Sequence, residues 1–164
     1  ASPHGSAALA HFARLRPSGF TPASYGGLGM GPGTALGAKV ARPNRVVVVT
    51  IGDGAFHYTP VVASFGASQE LGLPILVMLF NNSGYLSQKG DVIREYPDGW
   101  AAELKRFAGL SIAPRPDYPA LARAYGGYGE SVERPSEVRP ALLRGLDAVA
   151  KGQLALIEVV LAPV

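Results

Sequence analysis

Two short apolar runs, each ending in small polar residues, constrain this chain more than any other feature. Val46-Val47-Val48-Val49-Thr50-Ile51 leads into Gly52-Asp53-Gly54, and Pro74-Ile75-Leu76-Val77-Met78-Leu79-Phe80 leads into Asn81-Asn82-Ser83-Gly84-Tyr85. Each run is too short to cross a bilayer and too β-branched or continuous for a solvated helix face, so both are expected as strands buried on two sides of a parallel sheet. Ala55 to Phe80 spans 26 residues, room for one crossover helix and a return strand. In an open α/β sheet the carboxyl ends of neighbouring strands line the crevice where ligands bind, which sets Asp53 and Asn82 facing one another. An acid and an amide both offer oxygen, the donor that hard cations prefer.

The remaining pattern alternates helix and strand and predicts an α/β fold: a doubly wound, mostly parallel sheet with helices on both faces. A short helix is expected over Ala8 to Leu15, a second over Thr34 to Val40, and a third from near Thr59 with Pro60 in its first turn, running through Val61, Phe65 and Leu71. Backbone N–H groups around Gly54 and Ala55 then stand at a strand-to-helix turn, where free donors suit phosphate oxygens. His57 and Tyr58, just after the Gly-Asp-Gly turn, are expected to pack as an aromatic pair at the start of the third helix, with reach into the site as the alternative. Lys89 to Trp100 is polar, carries Gly90, Pro97 and Gly99, and reads as a mobile loop or lid, or as a plain surface loop. Asp117 should cap a helix through Leu121 and Tyr125 that ends at Gly126-Gly127. A short strand Ser131-Val132-Glu133 follows, then a helix capped by Ser136 and holding Val138, Leu142, Leu146 and Val149. Leu154 to Leu161 closes the series as a buried strand.

At 164 residues the chain reads as one domain, residues 1–164, with a core of its own. Its hydrophobic fraction of 48% against 16% charged residues is high for a lone domain, so some apolar surface is expected to meet a partner in an oligomer. The net charge of +3 comes from scattered Arg and Lys, which points to no nucleic acid partner, although the sign would suit a diphosphate. Without cysteine there can be no disulfide or thiolate metal site. No signal-peptide pattern or long apolar run is present, so the expected location is cytoplasmic, with no membrane partner.

Gly-Asp-Gly, a gap of this size and Asn-Asn together resemble the signature of thiamine diphosphate (ThDP) enzymes. The Phe-Ala, Arg-Ala-Tyr-Gly and Leu-Ile-Glu-Val wording further along is similar to the C-terminal part of benzoylformate decarboxylases and acetolactate synthases. The resemblance implies a diphosphate-binding domain in which Asp53, Asn82 and the carbonyl of Gly84 hold Mg²⁺ against the cofactor's diphosphate. Gly52, Gly54, Ala55 and Tyr85 would line the same site. His4 stands roughly where some members use a side chain on the phosphate, and as a plain alternative it caps a helix or lies on the surface.

Tyr25-Gly26-Gly27-Leu28-Gly29-Met30-Gly31-Pro32-Gly33-Thr34 does not fit the dinucleotide fingerprint, whose third glycine would fall at Thr34. So many glycines let backbone come close to a flat ligand. By the resemblance, Leu28 is a wedge that bends the cofactor, and the carbonyl of Gly26 accepts a hydrogen bond from its aminopyrimidine. Gln88 is a possible substrate-side residue where decarboxylases of this kind place a glutamate, and an amide cannot act as a general acid at neutral pH.

The implied activity is ThDP- and Mg²⁺-dependent cleavage or formation of a C–C bond next to a carbonyl, on a small 2-oxo acid or aldehyde. The first strand and the activating glutamate of the family are expected outside this sequence, the glutamate on a pyrimidine-binding domain or subunit. An acetolactate synthase-type transferase and a non-catalytic structural or regulatory subunit with the same fold stay open as alternatives. A metal-dependent phosphatase or nucleotide binder would want a second acid near Asp53, where Gly52, Gly54 and Ala55 stand instead.

Overall fold

The computed structural model describes residues 27–162. Four strands, β1 (Val48–Gly52), β2 (Leu76–Asn81), β3 (Tyr128–Val132) and β4 (Ala155–Val160), form one parallel sheet in the order β1-β2-β4-β3. The helices that join them are α1 (Gly31–Ala41), α2 (Asp53–Phe56), α3 (Val61–Glu70), α4 (Leu86–Glu95), α5 (Trp100–Glu103), α6 (Tyr118–Ala124) and α7 (Pro135–Ala150).

Side chains alternate across a strand, so each inner strand feeds two cores. On one face Val77 and Leu79 of β2 and Leu156 of β4 pack with Ala35 and Leu36 of α1, Phe65 of α3 and Ala122 of α6. On the other, Leu76 and Met78 of β2 and Ala155, Ile157 and Val159 of β4 pack with Ala141, Ala148 and Val149 of α7. Helices therefore cover both faces, as the alternating pattern predicts. By the same parity Asn81 and Glu158 point to the α1, α3 and α6 face, at the carboxyl ends of their strands.

Several local expectations are corrected. The first apolar run becomes a strand only from Val48 and is buried only toward its C-terminal end: Val46, before β1, is 59% and Val48 47% exposed, because among the described residues β1 borders β2 alone. β2, flanked on both sides, is buried along almost its whole length. α1 begins at Gly31 rather than Thr34, since Pro32 fits a first helical turn, where its missing N–H has no partner to lose. An extra short helix, α2, opens at Asp53, and Pro60 is the residue before α3 rather than part of its first turn. β3 starts at Tyr128 and ends before Glu133, because Gly126, at φ +67°, turns the chain tightly out of α6.

Ser136 is not the cap of α7. Pro135 opens that helix, and the Glu137 carboxylate accepts the Arg134 backbone N–H at 3.1 Å. The stretch from Lys89 to Trp100 is not one loop: α4 runs through Gly90 to Glu95, a short turn spans 96–99, and α5 starts at Trp100. One interior glycine costs a helix only about 1 kcal/mol. Here Asp91 and Arg94 pair one turn apart at 2.9 Å, and the Lys89 ammonium lies 5.0 Å from the centre of the Phe107 ring. Asp117 does cap α6, accepting the Ala120 N–H at 3.0 Å. The helix expected over Ala8 to Leu15 lies outside the described residues. No helix among those described is long and apolar enough to cross a membrane.

Candidate active site at the strand ends

Parallel register pairs Gly52 with Phe80, which brings the ends of β1 and β2 level. Asp53 leaves β1 as the first residue of α2 and is 2% exposed. The Gly84 N–H donates to Asp53 Oδ2 at 3.0 Å and to Asn82 Oδ1 at 3.2 Å, so both side-chain oxygens converge on one proton. The Gly84 carbonyl belongs to the same cluster, since a Cβ built on Gly54 would lie 3.5 Å from its oxygen. That Cβ would also stand 2.8 Å from Cδ1 of Tyr85, so the tyrosine ring lies directly on a position that only glycine fills without displacement. Burial pushes the Asp53 carboxyl above its usual range, opposed by backbone N–H groups of Gly54, Gly84 and Asn82. A carboxylate, an amide oxygen and a carbonyl together form a donor set suited to a hard divalent cation.

The turn that carries these donors is held from several sides. Ser83 sits at φ +58°, a left-handed conformation that a non-glycine residue adopts only when its surroundings fix it. Asn81 Oδ1 accepts the Ser83 N–H at 2.8 Å, the Ser83 carbonyl accepts the Ile112 N–H at 2.9 Å, and Tyr85 N–H donates to the Leu110 carbonyl at 2.9 Å. Gly84 and Ser111 thereby form an isolated antiparallel bridge.

Beneath the site, Phe56 of α2 meets Tyr118 edge-on at 5.7 Å between ring centres and Phe65 at 6.2 Å. The Tyr118 hydroxyl lies 2.8 Å from His57 Nε2. Burial, with the nearby Asp53 and Glu158 carboxylates, raises the Tyr118 phenol well above its ordinary value. His57 therefore packs on Tyr118 rather than with Tyr58, which is 58% exposed.

The glycine-rich loop presses against the segment just beyond α2. Thr59 Oγ1 donates to the Gly29 carbonyl at 3.1 Å, and a Cβ on Gly29 would stand 2.3 Å from the Tyr58 backbone. Leu28, at the tip of this turn, is 48% exposed. Gly52 ends β1 and Ala55 lies half-buried in α2. Gln88 is exposed in the first turn of α4 and accepts from Ser87 Oγ at 3.0 Å. His4 and Gly26 lie outside the described residues. Sequence reasoning missed Asn81, Tyr118 and Glu158 as parts of the site. The one available signal was Glu158, a single acid inside the apolar run Leu154 to Leu161.

Residues 3–159 match the family described as thiamine pyrophosphate enzyme, C-terminal TPP binding domain. The chain belongs to this family. Thiamine pyrophosphate is ThDP, so the cofactor implied by the resemblance to ThDP enzymes is the cofactor of the family. The chain is 36% identical over 139 residues to the acetolactate synthase large subunit IlvG of Mycobacterium tuberculosis, a match that covers 85% of this chain and 23% of the relative. It is 33% identical over 141 residues to a 2-hydroxyacyl-CoA lyase of Oryza sativa subsp. japonica, covering 85% and 23%. Among solved structures, the ThDP-dependent 4-hydroxybenzoylformate decarboxylase of Rhodococcus jostii superposes with a TM-score of 0.68 at 27% identity, over 84% of this chain and 24% of that one. The chain thus spans about a quarter of the length of the relatives it matches. The buried acid and the converging oxygens stand at the carboxyl ends of the strands, where open α/β sheets bind ligands.

Proposed function

We propose that this chain forms the diphosphate and Mg²⁺ site of a ThDP-dependent lyase that cleaves or forms a C–C bond next to the carbonyl of a small 2-oxo acid or aldehyde. The observation that carries the reading is the Gly84 N–H shared between Asp53 and Asn82, which holds an acid and an amide oxygen at one point. Asp53, the side chain of Asn82 and the carbonyl of Gly84 are the Mg²⁺ ligands, and the cation favours the charged carboxylate that burial alone opposes. Gly52, Gly54, Ala55 and Tyr85 line the diphosphate and Leu28 supports the ring system; Gly26 and His4, outside the described residues, are assigned by the resemblance alone. When bound, the cofactor supplies the electron sink for the bond change, and the protein's part is to bind, orient and shield it.

No catalytic acid or base is assigned to this chain. Asp53 is committed to the cation, and no Asp or Glu occurs between Ala1 and Ile51. The activating glutamate belongs to a pyrimidine-binding domain or subunit, and the whole is an oligomer working in the cytoplasm. Carboligation of the acetolactate type is the second reading, favoured by Gln88, whose amide cannot protonate an intermediate.

The test is CO₂ release from pyruvate and benzoylformate with ThDP and Mg²⁺ supplied. Turnover should appear when the chain is combined with a pyrimidine-binding domain or subunit carrying a glutamate, and residues 1–164 alone should be inactive. Sustained turnover by the 164 residues alone at a rate matching the full assembly would contradict the placement of the activating group elsewhere. Calorimetry with ThDP and Mg²⁺ that shows no binding would favour a non-catalytic structural or regulatory subunit.

A further inference from the structure

Glu158 is as deeply buried as Asp53, at 2% exposure, yet it lies on β4, a strand that carries none of the site donors. Parallel register sets Glu158 opposite Leu79, two positions before Asn81, so the two polar side chains are diagonal neighbours on one face. The Asn81 Nδ2 donates to Glu158 Oε1 at 2.6 Å. At its other end, Asn81 Oδ1 accepts the Ser83 N–H at 2.8 Å. This is the one orientation of the Asn81 amide in which both contacts join a donor to an acceptor, since Glu158 offers a carboxylate and Ser83 an N–H.

We propose that Glu158 is a positioning residue for the Asn82–Gly84 turn: its carboxylate fixes the Asn81 amide, which holds Ser83 in its left-handed conformation and so aims the Gly84 N–H at Asp53. A left-handed backbone at a non-glycine residue is unfavourable unless its surroundings fix it, and the Asn81 acceptor is the side-chain contact that fixes Ser83. Arg115 Nε stands 3.9 Å from the same Glu158 oxygen. Arg115 follows the 110–112 segment that bonds to Ser83 and Tyr85, so a single buried carboxylate reaches both sides of the turn. The inference rests on the Mg²⁺ and ThDP reading for its purpose, but the hydrogen-bond relay stands without it.

The test uses three nearly isosteric variants of the full-length protein at neutral pH, with two readouts: hydrogen exchange at Ser83 and Gly84 without ligand, and Mg²⁺-dependent ThDP affinity by calorimetry. Glu158→Gln keeps an acceptor for Asn81 and should match the parent within about threefold, whereas Asn81→Asp removes the donor and sets two carboxylates together, and should weaken affinity by about tenfold or more. The double variant Asn81→Asp with Glu158→Gln exchanges donor and acceptor and should recover most of that loss. Exchange at Ser83 and Gly84 should quicken in Asn81→Asp and return toward the parent in the double variant, with exchange in the middle of β2 and β4 unchanged. Parental behaviour of Asn81→Asp, or no recovery in the double variant, would overturn the relay. A parent that binds no ThDP would instead overturn the cofactor-site reading, and the ligand-free exchange arm would still decide the relay.

Discussion

Asp53 combines deep burial with an absence of basic partners: among the described residues its carboxylate is met by backbone N–H groups, and no Lys, Arg or His pairs with it. A carboxylate so placed gains from a cation more than a surface acid would, because its charge is poorly solvated. Leu28 poses a different problem. It is half exposed on a loop fastened through Gly29 to Tyr58 and Thr59, so its side chain contributes little to the core and is free to meet a ligand. Leu28→Ala in the full-length protein should leave ThDP affinity within about threefold and lower kcat by roughly tenfold to a hundredfold, since the change affects ring geometry and not the diphosphate grip. Steady-state kinetics beside calorimetry checks this, and an unchanged kcat would contradict the wedge.

At the scale of elements, the two motif-bearing strands were legible because continuous apolar runs, small-residue ends and a crossover-length gap are one consistent pattern. Less legible were features set by neighbours distant in sequence. The exposure of Val48 depends on which strands flank β1, and the role of Glu158 depends on β4 lying beside β2, neither of which a local window contains. The helical path of Lys89 to Glu95 was hidden by Gly90 and by low apolar content, while its support came from Asp91–Arg94 and Phe107.

The β3–α7 contact offers a test away from the site. Glu130 of β3 bonds Arg144 of α7 and accepts the Tyr128 hydroxyl at 2.5 Å. The Arg144 guanidinium, first, and the Tyr128 hydroxyl hold the Glu130 carboxyl below its ordinary range. A depressed folded-state value means the stabilisation is fully present above the unfolded-state value of about 4.3 and is lost as pH falls through the lower, folded one. Glu130→Gln should therefore cost about 0.2–1 kcal/mol near neutral pH, the modest size reflecting a half-exposed arginine. That deficit should shrink as the solution is made more acid than about pH 4. Urea unfolding at several pH values measures it, and a deficit that grows on acidification would contradict the assignment.

For the whole molecule, the sheet places every site donor at one end. The covering helices differ: α3 and α7 bury side chains into the two cores, whereas α4 and α5 bury none. Tyr96, Trp100 and Leu104, in and around α5, are 68%, 83% and 64% exposed, in keeping with the apolar excess of the sequence. The cofactor class follows from family membership. The identity of the residues that hold it is the central claim, and calorimetry of ThDP binding to the full-length protein with and without Mg²⁺ tests it most directly, for the parent and for Asp53→Ala. The parent should bind ThDP with Mg²⁺ and lose most of that affinity on chelation, and Asp53→Ala should abolish Mg²⁺-dependent retention. Equal affinity of Asp53→Ala and the parent in the presence of Mg²⁺ would contradict the assignment of Asp53, Asn82 and Gly84 as the metal site.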